Sequence, residues 1–333
     1  MKIAFFSTKE YDLSTFKPET VAPHKITFVN HRLDEGTALL AADHDAVCIF
    51  VNDDGSEPTL RALYGHGVRT IALRCSGYNN VDLKVAAELG ISVVRVPAYS
   101  PEAIAEFAVG TILTVVRKYH KAYNRVREGN FLLSGLVGFN LSGKTVGIVG
   151  TGNIGMRTGR ILSHGFGCNV LAYDPYPSTA AAAEAGLTYV TLDELLSRSD
   201  IISLHCPLLP STKYILNETT LHRTKRGVVL VNISRGGLID TKALIHALKS
   251  GHVGAVGMDV YENEEEYFFK DTSGMIMHDD VLSRLLSFHN VFVTGHQAYL
   301  TEEALISIAE TTINNLTELE QGKPCANAVS ASK

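Results

Sequence analysis

The sequence has few of the features that would place this protein in a membrane or an oxidising compartment. Its five cysteines are scattered, with no Cys-x-x-Cys pair and no regular spacing, so neither a disulfide framework nor a metal site is expected. No apolar run approaches the ~20 residues that a membrane helix needs. The amino terminus lacks the apolar core and cleavage site of a signal peptide. We therefore expect a cytoplasmic protein without a membrane partner.

An excess of positive charge is also missing. The chain has 30 Lys and Arg against 35 Asp and Glu, a net charge of −5, and its basic residues are dispersed. Such a balance offers no field for nucleic acid, so no nucleic-acid partner is expected. With 333 residues, 45% of them hydrophobic, the chain can form about two domains with sizeable cores.

Short runs rich in β-branched residues alternate with helical patterns in the first hundred residues. The predicted strands are Lys2–Phe6, Lys25–Val29, Ala46–Val51, Thr70–Leu73 and Ser92–Val96. Helical patterns such as Pro58–His66 and Val81–Leu89 separate most of them. Continuous apolar strands that alternate with helices predict a parallel sheet covered on both faces.

A second alternating series begins near the middle of the chain and predicts a six-stranded doubly wound domain. Its strands are Thr145–Val149, Val170–Tyr173, Ile201–His205, Val228–Ile233, Ala255–Val260 and Val291–Thr294. A single long helix, Pro101–Glu128, is predicted between the two series, with Ser100 as its N-cap and Gly129 as its end. Its length suits a link between domains or a contact between subunits. A last helix is predicted over Thr301–Leu319.

A glycine-rich turn near the middle of the chain carries the first functional signal. The run Thr145–Val149 leads into Gly150, Gly152 and Gly155, which have the spacing Gly-x-Gly-x-x-Gly. The first glycine permits a tight turn, the second leaves room for a pyrophosphate, and the third lets the next helix pack close to the sheet. Asp174 closes the following strand, where its carboxylate can bind a ribose diol and would repel a 2′-phosphate. The sequence therefore predicts NAD as the cofactor.

Polar groups that could carry chemistry follow the later strands, at the edge where open α/β sheets bind ligands. Arg235 follows Val228–Ile233, and a guanidinium there can bind a carboxylate with two parallel hydrogen bonds. His296 follows Val291–Thr294 and is the best acid–base candidate among the 13 histidines, because imidazole titrates near neutral pH.

An acidic partner for His296 is expected after the strand that ends near Asp259. A carboxylate bonded to the far nitrogen of the imidazole would stabilise its protonated form. The spacing alone does not distinguish Glu262, Glu264 and Glu265 as that partner.

Several segments together carry a family resemblance. They read Gly150-Thr-Gly-Asn-Ile-Gly155, Asp174, Asn232-Ile-Ser-Arg235-Gly-Gly, Gly257-Met-Asp259-Val-Tyr-Glu-Asn-Glu264 and Gly295-His296-Gln. This set resembles the D-isomer-specific 2-hydroxyacid dehydrogenase family. Four more segments are similar to the fermentative D-lactate dehydrogenases of bacteria within it. They are Phe50-Val-Asn-Asp-Asp-Gly55, Leu73-Arg-Cys-Ser-Gly77-Tyr-Asn-Asn-Val-Asp82, Arg95-Val-Pro-Ala-Tyr99-Ser-Pro101 and His296-Gln-Ala-Tyr-Leu-Thr-Glu-Glu-Ala304.

The resemblance implies a catalytic set. Arg235 would bind the carboxylate and carbonyl of the substrate. His296 would donate the proton in pyruvate reduction, with Glu264 as its partner. The backbone amides of Ser76 and Gly77 would help to hold the substrate carboxylate.

The resemblance also implies the remaining contacts with substrate and cofactor. Tyr99 would reach the substrate from the first domain. Tyr299 stands where the family usually has Phe and would add a hydroxyl near His296, whereas Thr212 stands where Asn is common. The NAD site would be lined by Gly150, Gly152, Asn153, Ile154, Gly155, Asp174, Cys206, Pro207, Thr212, Ile233, Ser234, Arg235, Asp259 and His296.

The implied fold is of the α/β class, with two doubly wound parallel-sheet domains. A flavodoxin-like substrate domain would comprise residues 1–99 and 297–333, and an inserted Rossmann NAD-binding domain would comprise residues 100–296. The expected protein is an NAD-dependent D-lactate dehydrogenase that acts as a homodimer or homotetramer. Two alternatives stay open. One is another D-2-hydroxyacid dehydrogenase that reduces 2-ketoisocaproate or hydroxypyruvate, and the other is an NAD(H)-sensing binding protein on the same scaffold.

Overall fold

The computed structural model describes residues 1–331, and the chain divides into two compact units. Unit 1 comprises Met1–Ser100 and the chain from Leu300 onward, and unit 2 comprises Pro101–Tyr299. The second unit is thus inserted into the first along the sequence.

The amino-terminal part of unit 1 alternates strands and helices. Its elements are β1 (Lys2–Phe5), α1 (Glu10–Thr15), α2 (Pro18–Val21), β2 (Lys25–Phe28), β3 (Ala46–Ile49), α3 (Glu57–Gly65), β4 (Thr70–Leu73), α4 (Leu83–Glu88) and β5 (Ser92–Arg95). The residues of β3 and β4 are buried throughout, as the apolar runs predicted for strands covered on both faces.

Unit 2 begins with two helices and continues as a strand–helix alternation. Its elements are α5 (Pro101–Arg117), α6 (Tyr119–Arg127), β6 (Thr145–Val149), α7 (Asn153–Arg160), β7 (Asn169–Tyr173), α8 (Thr179–Ala185), β8 (Leu187–Tyr189), α9 (Leu192–Arg198), β9 (Ile201–Leu204), α10 (Glu218–His222), β10 (Val228–Asn232), α11 (Thr241–Lys249), β11 (Val253–Met258), α12 (Asp280–Leu286) and β12 (Val291–Val293). The chain then returns to unit 1 with α13 (Glu302–Glu320) and β13 (Ala328–Val329).

Each unit has one sheet. The order in unit 1 is β13-β5-β4-β3-β1-β2, with parallel pairing except where β13 runs antiparallel to β5. The order in unit 2 is β12-β11-β10-β9-β6-β7-β8, and all of its pairs are parallel. The order reverses at β6, and the crevice beyond the carboxyl end of such a strand is where doubly wound sheets bind their ligands.

Helices cover both faces of the unit 2 sheet, and each face has its own apolar core. On one face Ile112 of α5 packs in a cluster with Val146 and Ile148 of β6. On the other face Leu244 of α11 packs in a cluster with Leu230 of β10. A sheet buried on both sides fixes the carboxyl ends of its strands, and the loops that follow them, in a rigid frame.

Two predictions about secondary structure were wrong, and one short strand was missed. The sequence predicted six strands in the second series, but the structure has seven, because β8 is a three-residue edge strand too short to show a pattern. The two-residue β13 was missed for the same reason. The long helix predicted over Pro101–Glu128 is broken at Lys118, which has a left-handed φ of 56°.

The helix break coincides with a close crossing of the chain. A Cβ on Gly138 would lie 2.3 Å from the carbonyl oxygen of Val116, so the returning segment packs directly on the last turn of α5. Lys118 Nζ donates to the carbonyl of Gly135 at 2.9 Å. These contacts lie far apart along the sequence and left no signal in its periodicity. No helix among the described residues is both long enough and apolar enough to cross a membrane.

Candidate active site and cofactor cradle

Three adjacent strands of unit 2 deliver the predicted catalytic side chains to one edge of the sheet. Arg235 follows β10, Glu264 lies in a 3₁₀ turn after β11, and His296 follows β12. Because β10, β11 and β12 are parallel neighbours, their carboxyl ends meet at the same edge. The structure thus brings together groups that the sequence separates.

His296 and Glu264 are in direct contact. The Nδ1 atom of His296 lies 2.7 Å from Oε1 of Glu264, and both side chains are mostly buried, with exposures of 17% and 20%. The other carboxylate oxygen of Glu264 accepts a hydrogen bond from the backbone N–H of Tyr261 at 3.0 Å. The pair engages Nδ1 and leaves Nε2 as the ring nitrogen that can exchange a proton with a substrate.

The geometry selects among the three acids that the spacing left open. Glu262 is engaged elsewhere, because its Oε2 accepts a hydrogen bond from the hydroxyl of Tyr214 at 2.8 Å. Glu265 is exposed. Only Glu264 of the three is within hydrogen-bonding distance of His296 in the described chain.

Asp259 lies beneath His296 and holds its backbone. Its carboxylate accepts hydrogen bonds from Thr294 Oγ1 at 2.6 Å and from the N–H groups of Gln297 and Ala298 at 2.9 and 2.8 Å. Its carbonyl accepts from the N–H of His296 at 2.8 Å. His296 has a left-handed backbone φ of 57°, which residues other than glycine rarely adopt. The hydrogen bonds to Asp259 hold the backbone in this conformation.

Asp259, one of the residues predicted to line the NAD site, is fully buried, with an exposure of 0%. Burial raises the pKa of this carboxyl, and the hydrogen bonds from Thr294, Gln297 and Ala298 oppose that effect. Asp259 therefore supports the loop that carries His296.

The conformation of the loop that carries Arg235 is fixed by Asn232. This buried residue belongs to a quoted motif, but the sequence predicted no role for it. The Asn232 side chain accepts from the N–H of Ser234 at 3.1 Å and donates to the carbonyl of Arg235 at 2.9 Å. Arg235 Nη1 donates to the carbonyl of Ser234 at 2.7 Å, which orients the guanidinium. Ser234 Oγ donates to the carbonyl of Cys206 and so ties the loops after β9 and β10 together.

A close backbone approach joins the Arg235 loop to the Glu264 turn. A Cβ on Gly236 would lie 2.0 Å from the carbonyl carbon of Tyr261. Only glycine fits there, so the chain just after Arg235 packs on the peptide that precedes Glu262. The guanidinium and the carboxylate–imidazole pair are thereby held on neighbouring loops.

The glycine-rich turn after β6 has the shape that a dinucleotide needs. Gly150 has a φ of 94°, and a Cβ on Gly155 would lie 2.0 Å from the carbonyl oxygen of Gly150. A Cβ on Gly152 would meet no atom within 4 Å, so the space in front of this residue is open. Gly152 is also the N-cap of α7 and offers no side chain to the first amides of the helix, which leaves them for an anion.

Asp174, at the end of β7, lies beside this turn. Its Oδ2 accepts from the N–H and the hydroxyl of Thr151 at 2.7 and 3.1 Å, and its Oδ1 accepts from the N–H of Tyr176 at 2.9 Å. A carboxylate has about four acceptor positions, so these bonds fix its orientation and leave capacity for a ribose diol. The residues present therefore fit NAD.

The other predicted cofactor contacts surround the same edge of unit 2. Asn153 and Ile154 form the first turn of α7, Cys206 and Pro207 follow β9, and Ile233 follows β10. The hydroxyl of Thr212 donates to the carbonyl of Pro207 at 2.6 Å and accepts from the N–H of Leu209 at 2.8 Å. Thr212 thus folds its own loop, whatever contact it makes with a cofactor.

The predicted substrate residues of unit 1 lie at the carboxyl ends of two adjacent strands. Ser76 and Gly77 follow β4, and Tyr99 follows β5. Ser76 Oγ donates to the carbonyl of Pro97 at 3.2 Å, and the Ser76 carbonyl accepts from Arg95 Nη1 at 2.8 Å. These bonds set the backbone of the Ser76–Gly77 turn.

Two residues close to predicted site residues were not singled out from the sequence. Arg74, at the end of β4 in unit 1, is buried, donates to the carbonyl of Ser7 at 3.0 Å and pairs with Asp12 at 3.6 Å. In unit 2 the ring of Phe269 lies 5.7 Å from the ring of His296. Arginine and phenylalanine are common residue types, and no spacing distinguishes these two. Tyr299, which was predicted as a substrate contact, is buried.

Taken together, unit 2 combines a dinucleotide turn with an imidazole–carboxylate pair and a guanidinium at one sheet edge, which defines a nicotinamide-dependent oxidoreductase. Residues 109–298 match the family model "D-isomer specific 2-hydroxyacid dehydrogenase, NAD binding domain". The chain belongs to the D-isomer-specific 2-hydroxyacid dehydrogenase family, and unit 2 contains its NAD-binding domain.

Individual members of the family resemble the whole chain. A D-lactate dehydrogenase of Escherichia coli (strain K12) is 54% identical over 328 residues, which cover 98% of this chain and 99% of that protein. The structure of a pyruvate reductase of Chlamydomonas reinhardtii matches with a TM-score of 0.93 at 46% identity and covers 98% of both chains. A D-lactate dehydrogenase from Lactobacillus jensenii, solved with NAD⁺, matches with a TM-score of 0.82 at 32% identity and covers 99% of this chain and 100% of that one.

Proposed function

We propose that this chain is an NAD-dependent D-lactate dehydrogenase that catalyses the reversible reduction of pyruvate to D-lactate. The observation that carries the proposal is the 2.7 Å pair of His296 and Glu264 at the same sheet edge as Arg235. The similarity to a D-lactate dehydrogenase of Escherichia coli and a pyruvate reductase of Chlamydomonas reinhardtii, both over nearly the full chain, supports this choice of substrate.

The chain's own residues supply the acid–base and electrostatic parts of the reaction. Bound NADH supplies the hydride that reduces the ketone carbon. His296, protonated and paired with Glu264, donates a proton from Nε2 to the ketone oxygen. Arg235 binds the carboxylate and stabilises the negative charge that develops on that oxygen. In the reverse direction neutral His296 accepts the hydroxyl proton of D-lactate.

Unit 1 carries the other residues for which we propose substrate contacts. We propose that the N–H groups of Ser76 and Gly77 hold the substrate carboxylate and that Tyr99 contacts the substrate. The bonds from Ser76 to Pro97 and from Arg95 to Ser76 support this role, because they fix the turn before a ligand arrives. In domain terms, we propose a substrate domain of residues 1–99 and 297–333 around an NAD-binding domain of residues 100–296.

We further propose that the protein is a homo-oligomer of the cytoplasm. Unit 2 exposes a group of apolar and aromatic side chains on α6 and the segment that follows it, which we call the α6 surface. Its members are Tyr119, Tyr123, Val126, Phe131, Leu132, Leu133 and Val137. Monomeric proteins rarely expose so many apolar residues in one segment. None of the five cysteines forms a disulfide in the described chain, which agrees with a reducing compartment.

The direct test is NADH oxidation with pyruvate, 2-ketoisocaproate and hydroxypyruvate side by side, followed by chiral analysis of the product. The proposal expects the highest kcat/KM with pyruvate and a product that is D-lactate alone. A preference for 2-ketoisocaproate or for hydroxypyruvate would show that the chain is another kind of 2-hydroxyacid dehydrogenase. NADH binding without oxidation of any acid would favour an NAD(H)-sensing protein.

A His296→Gln variant tests the proposed acid. Glutamine keeps a polar side chain of similar size but cannot donate a titrating proton, so turnover with pyruvate is expected to fall by roughly 10²- to 10⁴-fold. NADH affinity, measured by fluorescence, is expected to stay close to that of the native protein. Near-native turnover would remove His296 from the role.

A further inference from the structure

The turn that carries Glu264 is tied at both ends to Asp279, the N-cap of α12. From one side, the hydroxyl of Tyr261 donates to Asp279 Oδ2 at 2.8 Å. From the other side, the backbone N–H of Asp279 donates to the hydroxyl of Tyr267 at 2.9 Å. Asp279 Oδ1 caps α12 by accepting from the N–H of Leu282 at 2.9 Å.

The same two tyrosines contact Glu264 through their backbones. The N–H of Tyr261 donates to Glu264 Oε2 at 3.0 Å, and the N–H of Tyr267 donates to the Glu264 carbonyl at 3.1 Å. The N–H of Phe268 donates to that carbonyl as well, at 2.8 Å. A closed circuit of hydrogen bonds therefore runs from Asp279 through Tyr261, Glu264 and Tyr267 back to Asp279.

A small apolar cluster makes this circuit rigid. Tyr261, Phe268 and Leu282 form a buried cluster of their own, separate from the two cores of the unit 2 sheet. Tyr261 is only 2% exposed, so its ring has no room to move and its hydroxyl must stay on its partner. The backbone N–H of Tyr261 is consequently a fixed donor for Glu264.

We propose that Asp279, whose carboxylate holds Tyr261 and whose backbone N–H holds Tyr267, is a positioning residue that keeps the Glu264 carboxylate in line with His296. The inference rests on the proposed roles of His296 and Glu264 in proton transfer. A glutamate side chain has three rotatable bonds, and a partly exposed one gains freedom by turning towards water. With Oε2 fixed by Tyr261, Oε1 is left facing Nδ1 of His296. Asp279 is not itself a catalytic residue.

The alternative is that Asp279 is only a helix cap, and the chain offers a matched control for it. Asp240 caps α11 in the same way, by accepting from the N–H groups of Lys242 and Ala243. Asp240→Ala removes a cap of the same kind without touching the circuit. Asp279→Ala removes both the cap of α12 and the bond from the Tyr261 hydroxyl. Tyr261→Phe breaks the circuit and leaves the Asp279 cap in place. Asp279→Asn can keep the cap through its amide oxygen while its NH2 group donates to the Tyr261 hydroxyl, so it is the conservative rescue.

The first readout is the kinetics of pyruvate reduction against pH. Two carboxylates interact electrostatically with the His296 imidazole. Glu264 does so by direct contact, and the buried Asp259 does so without a side-chain hydrogen bond to the ring. Looser contact with Glu264 stabilises the protonated imidazole less, so the proton is lost at lower pH. We expect Tyr261→Phe and Asp279→Ala to lower kcat about 10-fold and to move the alkaline limb of the profile down by about half a pH unit or more. NADH affinity is expected to be unchanged, and Asp279→Asn and Asp240→Ala are expected to stay near native.

The second readout does not need activity. Histidine-labelled protein is titrated by NMR, and the His296 signal is identified by its loss in His296→Gln. Tyr261→Phe and Asp279→Ala are expected to lower the midpoint of this titration, while Asp240→Ala leaves it in place. If the native protein reduces no 2-keto acid, the proposed function fails, and the NMR comparison still decides the positioning role. If Tyr261→Phe folds and matches Asp240→Ala in both readouts, Asp279 is a helix cap only and the inference is overturned.

Discussion

Arg235 shows how neighbouring groups fix the orientation of a single side chain. One of its guanidinium nitrogens donates to the Ser234 carbonyl at 2.7 Å, and Asn232 fixes the backbone on both sides of that contact. The planar group is therefore oriented before a substrate arrives, and its remaining donors can bind a carboxylate in the bidentate geometry that lysine lacks.

The Arg235→Lys variant is accordingly expected to keep the positive charge and lose the bidentate hydrogen bonding. The KM for pyruvate should rise by about 30-fold or more, since a charge-assisted hydrogen bond contributes on the order of 2 kcal/mol. Steady-state kinetics with varied pyruvate at saturating NADH measures the change, and the dissociation constant of NADH serves as the control. An unchanged KM for pyruvate would contradict the assignment of Arg235 to the carboxylate.

Residues differ in how much of their role the sequence could predict. The placement of Arg235 and His296 at one sheet edge could be predicted, because each follows an apolar strand of a parallel sheet, and such strand ends meet at one edge. The spacing alone could not select Glu264 over Glu262, and the family resemblance was needed, because Glu262 is engaged by Tyr214 from a distant loop. The burial of Asp259 was missed for a similar reason, since its partners lie after another strand.

At the scale of the element, two glycines in the turn between β6 and α7 have different roles. Gly155 is needed for packing, because its Cβ would lie 2.0 Å from the backbone oxygen of Gly150. Gly152 has a φ of −65° and open space in front of it, so an alanine fits the protein itself. The space at Gly152 is where a pyrophosphate would approach the backbone.

Alanine at the two positions is expected to have different effects. Gly155→Ala should destabilise the fold by about 1–3 kcal/mol, because the turn must shift to admit the methyl group. Gly152→Ala should leave the melting temperature unchanged and weaken NADH binding by about 10-fold or more, since the added methyl keeps the phosphates from the amides. Thermal unfolding and NADH fluorescence titration measure the two effects. Equal losses of stability in both variants would show that the two glycines do not divide their roles in this way.

The elements themselves were predicted to within a few residues wherever an apolar run was fully buried. The sequence run Thr70–Leu73 is a strand with the same bounds in the structure, and so is Thr145–Val149. Strands were missed, and two helices were merged, where the local pattern of apolar residues does not determine the secondary structure. The break at Lys118 lies beside the crossing of Gly138 over Val116, a contact between segments that no helical periodicity records.

At the scale of the whole molecule, the α6 surface is a group of apolar side chains that the packing of unit 2 leaves exposed. The segment after α6 is fixed, not loose, because Arg125 Nη1 donates to the carbonyls of Ser134 and Leu132, and Lys118 Nζ donates to that of Gly135. Its backbone is thus bound to α6 while its apolar side chains face outward. An ordered segment that presents apolar groups to water is typical of a surface that another subunit covers.

Charged substitutions on this surface are expected to disrupt the proposed homo-oligomer. Leu132 and Leu133 are 69% and 79% exposed, so Leu132→Asp with Leu133→Asp should leave the fold intact while it disfavours burial against a second copy. Light scattering coupled to size-exclusion chromatography is expected to show a dimer or tetramer for the native protein and a smaller species for the variant. Ile276→Asp, a change at an 80% exposed apolar residue outside the α6 surface, is the control and should keep the native mass. A native protein that is monomeric at micromolar concentration, or a double variant that keeps the native mass, would remove the α6 surface from subunit contact.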